Sequence, residues 1–354
     1  MDLRRFQSGR IPFRFAGRIG LCLGLTATVI LALHTIRGML QPQEIFVDIP
    51  QNIPANARNA ESDHDSRNQL RFAIATMVSA EATFPTYRQL AERISRDVGR
   101  KTCSVVRPSY KDVRLELERG AVDVALVGTD TYVRAVQNNS IRLLVQPEFE
   151  ERTSCRTLVI VPAESRFRTW MDLRGAVIAF ADYESVSGWL LPSVMVEDLG
   201  QVPTEYFGKI IYTSNHDRSI LAVFENTVDA AAVSSLAWSW NVRQRPALEK
   251  RTRIIFQSPD YGPPPIVVPR TLDPSLEQAL AKAMLALHKD EEGRRILSAI
   301  GIRRFVPAQP ETYASAIELY GRYQSRMHLS KSRIAEPLNE PGEDTQSENS
   351  NPGR

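Results

Sequence analysis

Residues 209–233 read KIIYTSNHDRSILAVFENTVDAAAV, and the fold turns on how this stretch is parsed. Lys209–Thr213 reads as a strand, His216–Glu225 as a helix and Val228–Val233 as a second strand. Strand, helix and strand in so short a span form a β-α-β unit, which places its two strands parallel with the helix on one face. Upstream, Thr157–Val161 and Ala176–Ala181 read as strands and Gly188–Leu199 as a helix, so the unit extends in the N-terminal direction.

The same rhythm occurs earlier in the chain. Leu70–Met77 is a mostly apolar strand. Tyr87, Leu90, Ala91, Ile94 and Val98 then recur at helical spacing until Gly99 stops the helix. Thr102–Arg107 is a strand, and Tyr110–Arg119 a helix with Ser109 as N-cap and Asp112 three residues on. Val122–Val127 is an unbroken apolar run, as expected of a strand buried on both faces. Late in the chain come Ile254–Gln257 and Pro265–Val268, then helices alone: Pro274–His288, Glu291–Ala299 and Pro310–Met327. Two similar α/β sets in one chain predict two lobes with a cleft between them. Lobe 1 is expected over 70–156, lobe 2 over 157–253, and a return to lobe 1 with C-terminal helices over 254–328.

The ends have a different character. Five arginines (Arg4, Arg5, Arg10, Arg14, Arg18) precede an uncharged stretch, Ile19–Ile36, with no acid after Asp2. That asymmetry puts a basic segment, 1–18, in the cytoplasm and the rest of the chain across the membrane. The apolar part, Ile19–Leu33, is shorter than the ~20 residues of a comfortable span, but no small-residue cleavage site follows it. An anchor at 19–36 is favoured over a removed signal peptide, and Leu21 before Cys22 argues against lipidation. Residues 37–69, rich in Gln, Asn, Asp, Ser and Pro, read as a flexible linker, and 329–354 as a polar tail unable to bury enough to order itself.

The net charge is only +3, part of it spent at the N-terminus, and no block of like charge offers a nucleic-acid surface. The 43% hydrophobic and 24% charged content is that of a globular protein. Cys103 and Cys155 would lie in an oxidising compartment, where a disulfide is open to them; two separate buried thiols is the plainer reading. The five histidines are scattered. No metal-ligand spacing, nucleophile elbow or carboxylate pair argues for catalysis or a cofactor.

The chemistry concentrates in Asp182-Tyr183-Glu184-Ser185-Val186-Ser187-Gly188, between a strand and a helix. Hydroxyls and free backbone N–H groups at a helix start can hold an anion, and Gly188 lets a ligand come close to the backbone. Ser187 acting simply as a helix cap explains the same residues.

From this segment outward the chain resembles the periplasmic phosphonate/phosphite-binding proteins of ABC importers. Ser185-x-Ser187-Gly188-x-x-x-Pro192 is similar to that family's Ser-Thr-Ser-Gly-x-x-x-Pro anion loop. Thr213-Ser214-Asn215-His216-Asp217 resembles its Gly-Ser-His-Asp turn. Further matches are Val228–Val233, Ser258-Pro259 with Pro264–Val268, Tyr87–Leu90, Gly120–Ala125 and Gly128-x-x-x-Tyr132, in order over about residues 70–320. The resemblance implies a type II periplasmic-binding fold, each lobe a mixed, mainly parallel sheet flanked by helices. It also implies ligand contacts from Ser185, Ser187, Gly188, His216, Thr129 and Tyr132, with Tyr132 and His216 closing over the ligand. The partners implied are a small oxyanion and an ABC permease. A membrane signalling protein that reads ligand-driven closure is the alternative.

Three departures bear on the ligand. Val186 replaces the middle hydroxyl of the loop. Ser234-Ser235-Leu236-Ala237-Trp238 offers no carboxylate where relatives that take aminoalkylphosphonates are expected to present one, so an ammonium there would lack a counter-charge. Asp260-Tyr261-Gly262-Pro263 has an unusual form and reads as an exposed turn, with Asp260 or Tyr261 reaching the cleft as the alternative. Asp123 and Asp229 read as strand-entry residues, and Trp238 and Trp240 as packing on the sheet.

Overall fold

The computed structural model describes residues 44–46, 68–75, 80–107, 110–149 and 154–335. The anchor at 19–36, the Ser109 cap, most of the linker and residues 336–354 lie outside them. No helix among the described residues is long and apolar enough to cross a membrane.

Twelve strands among the described residues form two six-stranded sheets. The first contains β2 (Gln69–Ala75), β3 (Lys101–Arg107), β4 (Val124–Leu126), β5 (Ile141–Phe149), β11 (Ile266–Pro269) and β12 (Ile302–Pro307), in the order β12-β5-β11-β4-β2-β3. The second contains β1 (Glu44–Phe46), β6 (Thr157–Pro162), β7 (Val177–Phe180), β8 (Lys209–Tyr212), β9 (Ala230–Ser234) and β10 (Thr252–Gln257), in the order β1-β8-β7-β9-β6-β10. The two lobes expected from the alternation are present.

The lobes are built alike down to single hydrogen bonds. Asp123 accepts from the Arg71 N–H and Asp229 from the Val177 N–H, each at 2.8 Å and each across 52 residues of chain. In both lobes the acid just before the inner strand ties off the start of its parallel neighbour, the strand-entry role read for Asp123 and Asp229. The inner strands are short and apolar because both faces are covered. β4 and β9 are buried along their whole length. In the second lobe Phe180 meets Trp189, Phe207 and Tyr212 edge-on or tilted at 5.4–6.2 Å, an aromatic centre beneath the cleft.

Five expectations are corrected. The return to the first lobe does not begin at Ile254, because β10 stays in the second sheet as an antiparallel edge beside β6. The first sheet resumes only at β11. Strands do not end at Val268 either: β12 pairs antiparallel with β5, a strand the periodicity did not single out. As a result the first sheet has more antiparallel neighbours than parallel ones, with only β4-β2 and β2-β3 parallel. The linker is not without structure, since Glu44–Phe46 pairs parallel with β8. The last helix, Ala314–Ala335, runs past residue 328, so the tail boundary also shifts.

After β2 the described chain passes between lobes twice, and these two crossings run side by side. Cys155 and Tyr261 exchange both backbone hydrogen bonds at 2.8 and 2.9 Å, and Thr157 pairs with Ser258 just beyond. Cys103 and Cys155 are both free thiols, so no disulfide joins them. The C-terminal helix forms a third bridge, with Arg322 and Arg326 of lobe 1 both reaching Asp198 of lobe 2.

Candidate oxyanion site

The cleft above the paired crossings has closed to a cavity of about 20 Å³, room for a single water. Apart from the two crossings, the elements that reach it do so with helix N-termini. Tyr110 opens the helix Tyr110–Glu118, and Gly128 and Thr129 open Thr129–Gln137. Ser185, Val186 and Ser187 start the single π-turn Val186–Leu190, His216 starts His216–Phe224, and Ser234 caps Ser235–Gln244. The first N–H groups of a helix lack intrahelical acceptors and carry the positive end of the dipole, so five such ends converge on one small volume.

The loop takes its shape from local bonds. Ser185 is the N-cap, its Oγ accepting from the Gly188 N–H at 3.0 Å, so the cap is Ser185 and not Ser187. That leaves the Ser187 hydroxyl buried at the cavity wall. Opposite it, the chain turns through a left-handed Ser214 (φ 71°), Asn215 caps with its side chain, and His216 is delivered into the interior.

His216 is buried, and loss of solvation pushes its pKa from 6.5 down to about 3, so it is neutral. Its Nδ1 accepts from the Ser234 N–H at 3.3 Å. A neutral imidazole that accepts at Nδ1 carries its proton on Nε2. That Nε2 lies 3.3 Å from Ser185 Oγ and 3.4 Å from Ser187 Oγ, which makes it a donor in the middle of the site.

The hinge supplies Tyr261. Contrary to the exposed turn expected, it is buried, with Oη 3.5 Å from both Cys155 Sγ and Thr157 Oγ1. Tyr110 Oη is buried without a partner among the described residues. Burial raises both phenols well above their ordinary range, so both keep their protons and remain donors.

The structure thus brings Ser185, Ser187, His216 and Thr129 to the cavity wall, with Thr129 Oγ1 donating to the Gly262 carbonyl at 2.7 Å, while Gly188 stands behind the wall and reaches it only through its N–H bond to Ser185 Oγ. Tyr132 is not with them. It packs on Tyr313 at 4.7 Å in the core and is absent from the cavity wall. Tyr110, Ser234, Cys155, Glu184 and Pro264 also line the cavity and were not expected as ligand contacts, while Tyr261 takes the less favoured of its two readings. A helix-start position in each βα unit was the available signal for Tyr110 and Ser234. The carboxylate expected to be missing after Val233 is indeed missing there, but Glu184 brings one from the anion loop. Arg114 of the opposite lobe grips it through Nε and Nη2 at 2.9–3.2 Å.

A family model described as the periplasmic substrate-binding protein of phosphonate ABC transporters matches residues 72–313. The chain belongs to this phosphonate-binding family. Its relatives are distant. A phosphonates-binding periplasmic protein of Escherichia coli (strain K12) is 21% identical over 253 residues, 70% of this chain and 73% of that protein. A probable ABC transporter phosphite binding protein, PhnD1, of Prochlorococcus marinus (strain MIT 9301) is 23% identical over 164 residues, 45% of this chain. That alignment spans 55% of the relative's own length. The solved structure of Prochlorococcus marinus PhnD1 in complex with methylphosphonate superposes with a TM-score of 0.66 at 17% identity, covering 73% of this chain and 98% of that one. At such identity the superposition shows the fold, the two-lobed periplasmic-binding architecture.

Proposed function

We propose that this member of the phosphonate-binding family is an extracytoplasmic receptor that closes on a small phosphonate- or phosphite-type oxyanion and presents it to an ABC permease. The observation that carries this reading is a cluster of buried, uncharged donors on one cavity, in which the His216 contacts to the two serine hydroxyls are long, at 3.3 and 3.4 Å, and Tyr110 Oη has no partner among the described residues. His216 Nε2–H, the Ser185 and Ser187 hydroxyls and the solitary Tyr110 Oη face one cavity, and an oxyanion would accept from all of them. An unmatched buried donor costs about 1–3 kcal/mol, so a ligand that accepts from Tyr110 Oη and replaces the long Ser–His contacts is favoured. The donors come from both lobes, so one ligand engages both and its binding energy favours the closed state. His216 meets the Ser185 and Ser187 hydroxyls through a protonated Nε2, which donates to them and cannot take their protons, and this favours a receptor over an enzyme. The arginine-rich start and apolar 19–36 support a receptor tethered to the membrane.

Ser187→Ala removes one donor without leaving a void. The full chain in detergent, titrated calorimetrically with methylphosphonate and phosphite, is expected to bind one of them. The variant should bind about tenfold more weakly with the same melting temperature in the absence of ligand. Equal affinity in variant and parent would remove Ser187 from the site.

A further inference from the structure

The charge balance around the cavity bears on which form of the oxyanion it accepts. No lysine or arginine lines the cavity among the described residues, and its one charged wall residue is Glu184. Arg114, from the helix Tyr110–Glu118, neutralises Glu184 but is shared with Glu118 at 3.0 Å. Next to them Asp130 and Arg134, both on Thr129–Gln137, offset each other in a second ion pair. Asp182, earlier in the anion loop, accepts from the Glu184 N–H at 2.7 Å. From the other walls come neutral His216 and the protonated phenols of Tyr110 and Tyr261, with the Cys155 thiol and, one residue past His216, Asp217. Five acidic side chains, Glu184, Glu118, Asp130, Asp182 and Asp217, therefore stand around the loop with the two guanidiniums of Arg114 and Arg134, and no net positive charge is available to a ligand.

We infer that Glu184 makes this a site for singly charged oxyanions, taking a monoprotonated phosphonate or phosphite and rejecting the dianion. The inference rests on the oxyanion reading above and specifies its ligand. Converging helix ends and neutral hydroxyls can stabilise one buried charge. A second charge would be buried with no counter-ion and beside a carboxylate, an arrangement that costs several kcal/mol. Protonation of the ligand reverses the sign of that contact. Arg114 makes three of the roughly four hydrogen bonds a carboxylate can accept, which leaves Glu184 able to accept from a P–O–H group.

The second ionisation of a phosphonate or phosphite falls near neutrality, like that of a phosphate monoester, so pH selects the species offered. Calorimetric titration of the full chain with methylphosphonate is expected to show affinity falling about tenfold or more from about pH 5.5 to about pH 8.5. Methanesulfonate, singly charged throughout, reports in parallel how much of any trend comes from protein groups such as Asp130 and Asp182. Glu184→Gln keeps the shape and removes the negative charge, so its methylphosphonate affinity at about pH 8.5 should exceed that of the parent by about tenfold. Arg114→Gln, which leaves Glu184 unpaired, should steepen the loss. Methylphosphonate affinity that is flat or rises with pH, or a Glu184→Gln profile that overlays the parent's, overturns the inference and leaves the receptor reading in place. No binding of any oxyanion at any pH overturns both.

Discussion

Gly188→Ala is expected to cost this protein most of its oxyanion affinity and a measurable part of its stability. A Cβ at position 188 would lie 2.7 Å from Ala181 Cβ, 3.0 Å from Ser185 Oγ and 3.1 Å from the Ala181 nitrogen. Ala181 follows directly on β7 and its Cβ is fixed by the backbone, so no side-chain rotation relieves the contact. The π-turn must lift away from the end of the strand instead. That movement stretches the Ser185 Oγ to Gly188 N–H bond, which sets the loop's shape, and draws the Ser187 hydroxyl away from His216 Nε2. Overpacking of this kind costs about 1–3 kcal/mol of stability. Misplacing several donors at once should weaken binding by about 100-fold. Chemical denaturation and calorimetric titration of the full chain test the two effects separately. An alanine variant with parental affinity would show that the loop does not hold the ligand.

The second large effect is on acid stability and depends on His216. Its folded pKa, about 3, lies below the ordinary 6.5 because burial penalises the imidazolium. Between those values the unfolded chain binds the extra proton and the folded chain does not. The stability associated with this group is complete above pH 6.5 and is lost as the pH falls to about 3. Asp130 and Asp182 act in the opposite sense. Burial raises both from 3.8 to about 6, so protonation favours the folded state and their contribution declines as pH rises through that interval. The parent's own pH profile therefore mixes opposed effects, and the comparison with His216→Gln isolates one of them. Relative to that variant, the parent is expected to lose on the order of 3 kcal/mol between about pH 7 and about pH 4. Urea unfolding of both proteins without ligand at the two pH values measures this. A constant difference would mean that His216 takes up a proton in the folded state and is not the neutral Nε2–H donor described.

Ligand selection and acid sensitivity have a common origin. Burying a neutral histidine among serine hydroxyls makes a donor that needs no charge, and the same burial makes that histidine a weak point in acid. The Glu184–Arg114 pair joins the anion loop to the opposite lobe, so the residue assigned to sorting ligands by charge also takes part in closing the cleft.

By itself the sequence determined what depends on near neighbours in the chain. Alternating apolar runs and helical spacings placed both β-α-β sets. The order Ser185-x-Ser187-Gly188 before a helix placed the loop at a helix start, and the resemblance to the family pointed to His216 at another. Such features are recorded within a few residues, because caps, turns and periodicity act over that range. The tertiary structure alone decided which distant segments pair and which way their side chains face. β10 remained with β6, and β12 found β5 across about 150 residues, because a strand's partner is chosen by the sheet edge available to it. Tyr132 went to the core against Tyr313 while Tyr261, read as a surface turn, became the floor of the cleft through its bridge to Cys155. Arg114 and Glu184 are 70 residues apart and meet across the two lobes, and no local pattern encodes a contact of that kind.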